Sequence, residues 1–380
     1  MAIGLTALYL HIPFCESRCI YCDFFSSTQG DAVKERFTTA LCSELAARSN
    51  EACGNSISTI YFGGGTPSQL PTRQLLRIFD TIHANYAVET DAEITLEANP
   101  EDVSTAFVKA LMGMGVNRMS MGVQSFDDKI LSFLHRRHNS DKARAAVREI
   151  SDCGIGNISI DLIYGLPGQS IDGWQKDLNC AFGLPISHLS AYSLTFERET
   201  ALWRMHEEGF VEETDDEISL RMYDLLCSRC EAEGFGHYEI SNFSKPGYHS
   251  RHNSSYWNDT PYIGVGPSAH SYDGKDVRRR NASDLEGYIA SEGLTGHTLE
   301  VLNEKDKYND FVFTALRTRE GLDLKSLEER FGRNRTRFVN EVAKRHLRIG
   351  LVEKNGSILR LTRRALFTSD DVISDYIIID

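Results

Sequence analysis

Short runs of β-branched and other apolar residues alternate with longer amphipathic stretches through the first half of the chain. This alternation constrains the fold more than any other feature. The runs are Ala7–His11, Thr59–Phe62, Glu93–Glu97, Arg118–Val123, Asn157–Tyr164 and His188–Leu194. Between them, Asp31–Arg48, Thr72–Tyr86, Asp102–Met114, Asp141–Asp152 and Ile171–Phe182 carry helical patterns. Six such units predict a parallel sheet, because parallel neighbours need a crossover, usually a right-handed helical one. A closed eight-unit barrel takes about 250 residues, whereas the sixth run here ends at Leu194. The expectation is an α/β chain built on an open, partial (β/α)6 barrel. Barrels of this kind gather functional side chains at the C-terminal ends of their strands. A cysteine-bearing loop follows the first run and Gly63-Gly64-Gly65-Thr66-Pro67 follows the second. Glu97 ends the third run, Gln124 follows the fourth, and Asp161 lies within the fifth.

Beyond Leu194 the regularity changes. Asp215–Glu233 reads as a helix, and Gly234–Pro267, rich in Gly, aromatic, Asn and Ser residues, reads as a loop carrying function. Tyr308–Arg319, Leu324–Phe331 and Thr336–Ile349 read as three helices. Leu351–Leu361 reads as a hairpin with Asn355-Gly356 as its two-residue turn. Three helices and a hairpin resemble a winged-helix unit. The expected division is a barrel over 1–235, a connecting region over 236–300 and a winged-helix-like domain over 301–380. Winged-helix units often bind DNA, but this segment holds 16 Lys/Arg against 13 Asp/Glu between Glu304 and Asp380. The formal net charge of the 380 residues is −13. Nucleic-acid binding depends on neutralising phosphates, so none is expected. Nine scattered cysteines do not read as a disulfide framework. With no basic-then-apolar leader and no 18-residue apolar run, the expected compartment is the cytoplasm.

Cys15, Cys19 and Cys22 have the spacing C-x3-C-x2-C within Tyr-Leu-His-Ile-Pro-Phe-Cys-Glu-Ser-Arg-Cys-Ile-Tyr-Cys-Asp-Phe. One loop of this kind can hold three corners of a [4Fe–4S] cubane, and thiolate is the usual ligand of such irons. The fourth iron is then left open to a small molecule. A zinc site would need a fourth ligand, typically from a distant second cysteine pair. The only other close cysteines, Cys227 and Cys230, fall within a helical pattern and read as packing residues.

The loop resembles that of the radical S-adenosylmethionine (SAM) enzymes, whose partial barrel also matches the expected fold. The resemblance implies that the amine and carboxylate of SAM occupy the open iron. Gly64, Gly65 and Thr66 resemble that family's G-G-T motif, where missing Cβ atoms let backbone approach the ligand. Tyr21 matches the aromatic position that contacts adenine in relatives, and Tyr9 matches a SAM-contacting tyrosine. Glu97 in Glu-Ala-Asn-Pro, Gln124 in Gly-Val-Gln-Ser-Phe and Asp161 in Asp-Leu-Ile-Tyr-Gly-Leu-Pro match further SAM positions. So does Arg136 in His-Arg-Arg-His, with Arg137 as its alternative. Glu97 and Asp161 sit in otherwise apolar strands, where an unpaired charge is costly.

The chain is most similar to the branch that holds oxygen-independent coproporphyrinogen III oxidase and the HemW-type haem chaperones. The oxidases carry a further cysteine two positions after the third cluster cysteine, where this chain has Phe24. They also carry an extension before the first strand, whereas Tyr9 comes almost at once here. His252-Asn253-Ser254-Ser255-Tyr256-Trp257 is similar to the H-N-x-x-Y-W motif associated with haem in the chaperones. Imidazole is a common axial ligand of haem iron and aromatics can cover a porphyrin face. His252, Asn253, Tyr256 and Trp257 are therefore the expected haem-binding residues, with His249 and His270 as nearby alternatives. What the resemblance implies is a haem chaperone that binds a cluster, SAM and haem. Its partners would be a haem-accepting protein, such as a respiratory, membrane-associated one, and a reductant such as flavodoxin or ferredoxin. The alternatives are a radical SAM enzyme acting on a tetrapyrrole, by coproporphyrinogen oxidation or haem-degrading methylation, and a nucleic-acid-binding regulator.

Overall fold

The computed structural model describes residues 4–379 and has the open parallel barrel at its centre. Strands β1 (Leu5–Ile12), β2 (Ser56–Gly64), β3 (Val88–Ala98), β4 (Arg118–Gln124), β5 (Asn157–Tyr164) and β6 (His188–Ser193) lie side by side in chain order. All five neighbour pairs are parallel. The helices expected between them are present, including Asp31–Ala47, Thr72–Asn85 and Ile171–Phe182.

The two-residue period of the strands decides what each face meets. Leu8, Leu10, Ile60, Phe62, Leu96, Met121 and Ile160 pack outward with helix residues such as Phe37, Leu41, Leu75 and Phe79 in one buried core. The intervening residues form the other face: Tyr9 and His11, Thr59 and Tyr61, Thr95 and Glu97, Arg118 and Ser120, Ser159 and Asp161, His188 and Ser190. Glu97 and Asp161 are therefore not charges stranded in apolar strands, as the sequence reading has them. They belong to a continuous polar face that lines the lumen.

The stretch read as a loop is partly regular. It contributes β7 (Gly236–Glu239), β8 (Asn242–Ser244), the short helix Arg251–Ser255 and β9 (Tyr262–Val265). β8 and β7 extend the sheet antiparallel beyond β6. β9 lies parallel to β1 on the other side, a seventh parallel strand. β10 (His270–Tyr272), β11 (Val277–Asn281) and β12 (His297–Val301) continue that side antiparallel, giving a 12-stranded sheet with β12 and β7 as its ends. A buried ionic network fastens β9–β11 to the helix Asp31–Ala47. Arg48 donates to Glu44 at 2.8 Å, to the Gly264 carbonyl at 2.6 Å and to Ser271 at 2.9 Å. Glu44 in turn accepts from Gly266 N–H, Asn281 and Tyr288.

The C-terminal unit has its own core, which includes Tyr308, Val312, Leu327, Val339, Leu359 and Tyr376. The helix Glu304–Leu316 is followed by β13 (Leu322–Asp323), a helical segment broken at Gly332 (φ 80°), and the pair β14 (Val352–Asn355) and β15 (Ile358–Leu361). β13 completes a three-stranded sheet by pairing with β15, an arrangement of the winged-helix kind. Asn355 pairs with Ile358, so the two loop residues are Gly356 and Ser357, not Asn355 and Gly356. The positive φ falls on Gly356 at 60°, where the absent Cβ removes the steric cost.

Candidate cluster and cofactor site

The cysteine loop leaves and re-enters the barrel rim side by side. Cys15 N–H donates to Ser27 O at 2.9 Å and Ser27 N–H donates to Pro13 O at 2.6 Å. Arg18 braces the turn from within by donating to the Ser26 carbonyl at 2.5 Å. Cys15, Cys19 and Cys22 are half-buried free thiols. Burial pushes the Cys15 thiol up and the Cys22 thiol to about 11, the neighbouring cysteines adding to both shifts. Thiols held this high lose their protons to a strongly thiophilic metal rather than to water. Among the described residues no three His, Cys, Asp or Glu side chains converge on the position of a single ion. A cubane asks for a different arrangement, one thiolate to each of three irons, and the donor set fits it.

A chain of polar contacts joins two of the thiols across the rim. Thr66 Oγ1 lies 3.4 Å from Cys15 Sγ and accepts from the Asn99 side chain at 3.3 Å. Arg136 donates to Asn99 Oδ1 at 2.7 Å, to the Gly122 carbonyl at 2.6 Å and to Cys19 Sγ at 3.4 Å. Arg137 turns away toward Glu101 at 3.5 Å. A guanidinium against a cluster thiolate offsets negative charge, and hydrogen bonds to sulfur help set a cluster's potential. The Gly-rich turn meets this loop backbone to backbone. Gly65 N–H donates to Ile12 O and Thr66 N–H to Phe14 O, at 2.9 and 2.7 Å. A Cβ on Gly65 would lie 2.9 Å from three backbone atoms of Ile12 and Phe14. With these amides engaged, the turn has carbonyl oxygens to offer the N–H groups of an amine. Tyr21 packs against the small apolar cluster that contains Leu134 and Leu202. Gln124 ends β4 with φ 69°, where the register slips by one residue. Such a conformation costs a non-glycine residue about 1–3 kcal/mol and marks a position held by its surroundings.

Inside the rim, Glu97 accepts from Tyr61 O–H at 2.7 Å. Burial raises its pKa to about 7, with Asp161 adding to the shift while Tyr61 and Arg118 oppose it. Asp161 rises to about 6 for the same reason, and Ser190, Arg118 and Ser120 oppose it. These two carboxyls sit near neutrality and can accept from an amine or from ribose hydroxyls once ionised. His11 donates from Nε2 to the Phe25 carbonyl in the cysteine loop at 2.9 Å. Its Nδ1 is then free to accept from Tyr9 O–H at 3.2 Å.

The opposite end of the lumen is floored by the helix Arg251–Ser255. Ser250 caps this helix, and Glu93 accepts from the Arg251 and His252 amides. His252 is 1% exposed and stacks on Tyr61 with ring centroids 4.9 Å apart and on Tyr9 at 6.2 Å. Its Nδ1 is 2.8 Å from Thr59 Oγ1 and its Nε2 is 2.9 Å from Tyr256 Oη. Burial holds its pKa down at about 3. It is a neutral ring with both nitrogens engaged, so the expected axial ligand has no lone pair free for iron in this arrangement. Asn253 lies on the same short helix and Trp257 just beyond it, where Arg317 from the C-terminal unit stands 5.8 Å over the indole. His270 stands exposed at the start of β10. Cys227 and Cys230 are buried in the barrel core, as packing residues.

Sequence reasoning missed His11, Asn99, Arg118, Tyr61, Thr59 and Glu93. For all but Asn99, which lies just beyond the end of β3, the signal was the strand period, which turns them to the same face as the predicted strand residues Glu97 and Asp161.

The chain matches the model of the Radical SAM superfamily over residues 9–181 and that of the HemN C-terminal domain over residues 302–368. It is 32% identical over 377 residues to the protein named heme chaperone HemW of Bacillus subtilis, covering 98% of this chain and 99% of that one. It is 35% identical over 374 residues to the heme chaperone HemW of Mycobacterium tuberculosis, covering 96% and 93%. The solved structure of coproporphyrinogen III oxidase (HemN) from Escherichia coli superposes with a TM-score of 0.86 over 98% of this chain and 90% of that one, at 22% identity. That last likeness shows a shared fold. The relatives' identity and coverage place the chain in the HemW family, within the radical SAM superfamily.

Proposed function

We propose that this protein is a haem chaperone that carries a [4Fe–4S] cluster and SAM at the barrel rim, binds haem at the floor, and delivers it to an acceptor protein. The observation that carries this reading is the likeness, along nearly the whole chain, to relatives named heme chaperones. The floor motif His252–Trp257 supports it. When bound, the cluster supplies an electron and an open iron for the SAM amino-acid head. The chain's own residues do the rest. Cys15, Cys19 and Cys22 hold the irons, and Arg136 steadies Cys19 while spanning to Asn99. Carbonyls of the Gly64–Thr66 turn and the Glu97 carboxylate accept from the amine. Gln124 and Asp161 address the ribose hydroxyls, and Tyr9 and Tyr21 border the ligand. Phe24, which replaces the additional oxidase cysteine, is 64% exposed and offers no thiol for decarboxylation chemistry.

A path of aromatic contacts joins the two ends of the lumen, from Phe25 through His11 and Tyr9 to His252, with each pair of ring centroids about 6.2 Å apart or less. Among the described residues no helix is long and apolar enough to cross a membrane. The reading places the protein in the cytoplasm, taking electrons from a flavodoxin- or ferredoxin-like donor and meeting a membrane-associated respiratory acceptor from that side. The test is an anaerobic haem titration of reconstituted protein with and without SAM, followed by product analysis. Saturable, one-to-one haem binding with the porphyrin intact supports the chaperone. Protoporphyrinogen from coproporphyrinogen, or haem loss with methyl transfer, overturns it in favour of an enzyme.

A further inference from the structure

We infer that the C-terminal unit docks on an anionic membrane surface through the solvent face of the helix that follows the Gly332 break. The inference rests on the chaperone reading above, whose acceptor is membrane-associated, and adds where this chain meets that membrane. Residues 333–364 carry ten Lys/Arg against two Asp/Glu, in a chain of net charge −13. The near balance of charge over the whole C-terminal segment hides this concentration, because the other acidic residues come before and after it in sequence.

The helix is held from one side. Within residues 333–349 the buried residues are Thr336, Val339, Ala343 and His346, and their three- and four-residue spacing puts them on one face. The opposite face carries Arg333, Arg337, Lys344 and Arg348, all exposed, at i, i+4, i+11 and i+15. They form one row along about 22 Å of helix. Glu341, the acid within the row, is taken by Lys344 at 2.7 Å, and Arg333 meets Glu328 at 3.2 Å. Exposed pairs of that kind exchange partners at little cost. Arg337 and Arg348 enter no ion pair among the described residues. Two further cations widen the surface. Lys354 of the β14–β15 hairpin donates to Asn340 at 3.1 Å, and Arg364 donates to the Ile349 carbonyl at 3.4 Å.

Apolar side chains border the cations. Phe338 and Ile349, eleven residues apart on one flank of the helix, are 36% and 46% exposed, and Leu347 on the other flank is 39% exposed. Scattered singly, such residues would need no explanation. Beside a cationic row they match the mixed surface that lets an interfacial helix meet both headgroups and acyl chains. Anionic headgroups supply the opposite charge. A nucleic-acid duplex would answer the cations with phosphates but would leave the apolar groups without partners. The attraction acts within a Debye length, about 8 Å at physiological ionic strength, so the row's own charge counts for more than the chain's net charge.

The experiment is cosedimentation of full-length protein with vesicles of phosphatidylcholine, alone or mixed with phosphatidylglycerol, at low and high salt. Wild type should bind the mixed vesicles at low salt, release them at high salt, and ignore phosphatidylcholine alone. Each basic side chain near an anionic leaflet is worth about fivefold in partitioning, so Arg337→Ala/Arg348→Ala should bind at least about tenfold more weakly. Neither residue is buried or paired, so the circular dichroism and melting of that variant should match wild type. Lys109→Ala/Lys176→Ala removes the same charge from exposed positions on two barrel helices and should bind as wild type does. Phe338→Trp should gain a fluorescence that brominated acyl chains quench. A row variant that sediments like wild type, or a barrel variant weakened as much, overturns the inference. Tighter binding of duplex DNA than of mixed vesicles at the same salt also overturns it and gives the row to nucleic acid. A wild type that ignores the vesicles yet takes up one haem removes the inference and leaves the chaperone reading. Vesicle binding without haem uptake keeps the surface and removes that reading.

Discussion

Glu97 offers a quantitative test of the rim. Its pKa is raised from 4.5 to about 7, chiefly by burial. In ligand-free protein the folded state therefore keeps a proton that the unfolded chain has lost. The corresponding stability is full below about pH 4.5 and is lost as the pH rises through 7. About 2.5 pKa units at 1.36 kcal/mol each set a ceiling of roughly 3 kcal/mol, reduced by water in the lumen. An amine that binds the ionised carboxylate reverses the preference, so SAM binding should release a proton near neutral pH. With a pKa of about 7, the carboxylate fraction falls about tenfold between pH 8 and pH 6. Wild-type affinity, taken relative to Glu97→Gln at the same pH, should fall by about the same factor, since the ligand's own amine titrates equally in both. Anaerobic calorimetry in two buffers of different ionisation enthalpy counts the proton directly. Parallel pH profiles for the two proteins, with equal proton release from both, would refute the assignment of Glu97 to the ligand.

Other consequences follow from the packing. His252→Ala leaves the Thr59 and Tyr256 hydroxyls without partners in a buried site, and should cost about 2–5 kcal/mol by chemical denaturation; a loss below about 0.5 kcal/mol would deny it the role of a pillar. Gly65→Ala drives a Cβ into backbone atoms that cannot turn aside, so iron incorporation after reconstitution should collapse. Gly113→Ala, whose Cβ would meet nothing within 4 Å, should load normally, and equal iron content in the two would exclude the contact as the cause. Glu44→Ala leaves Arg48 only its Glu51 partner and takes the acceptor from Gly266 N–H, Asn281 and Tyr288, and should destabilise by about 2–5 kcal/mol. A neutral result would show that β9–β11 are held some other way.

Long apolar strands and strongly amphipathic helices were legible because burial of one face writes its period into the chain. The expected and observed bounds of β5 coincide, and the other five of the strands β1–β6 differ from expectation by a few residues at their ends. β9 escaped because Tyr-Ile-Gly-Val is too short to show a period and has a glycine at its centre. β7 and β8 are shorter still. Their existence depends on the edges of a sheet made elsewhere in the chain, which no local pattern records. The Glu44–Arg48 pair shows the same limit, since an i,i+4 pair on a helix ordinarily faces solvent, whereas this one is buried by strands more than two hundred residues away. Motif residues at the rim were readable as a set because the cysteine spacing is specific. The floor was less readable: the motif drew attention to His252, while its burial and the openness of His249 are tertiary facts.

Haem delivery itself is the most direct test of the central claim. Reconstituted protein loaded with one equivalent of haem would be mixed, without oxygen, with an apo haem protein, and the tetrapyrrole recovered from each partner and identified by mass. The account predicts unmodified haem moving to the acceptor, about one per chain. Haem retained by the donor, or recovered as an altered tetrapyrrole, would contradict it.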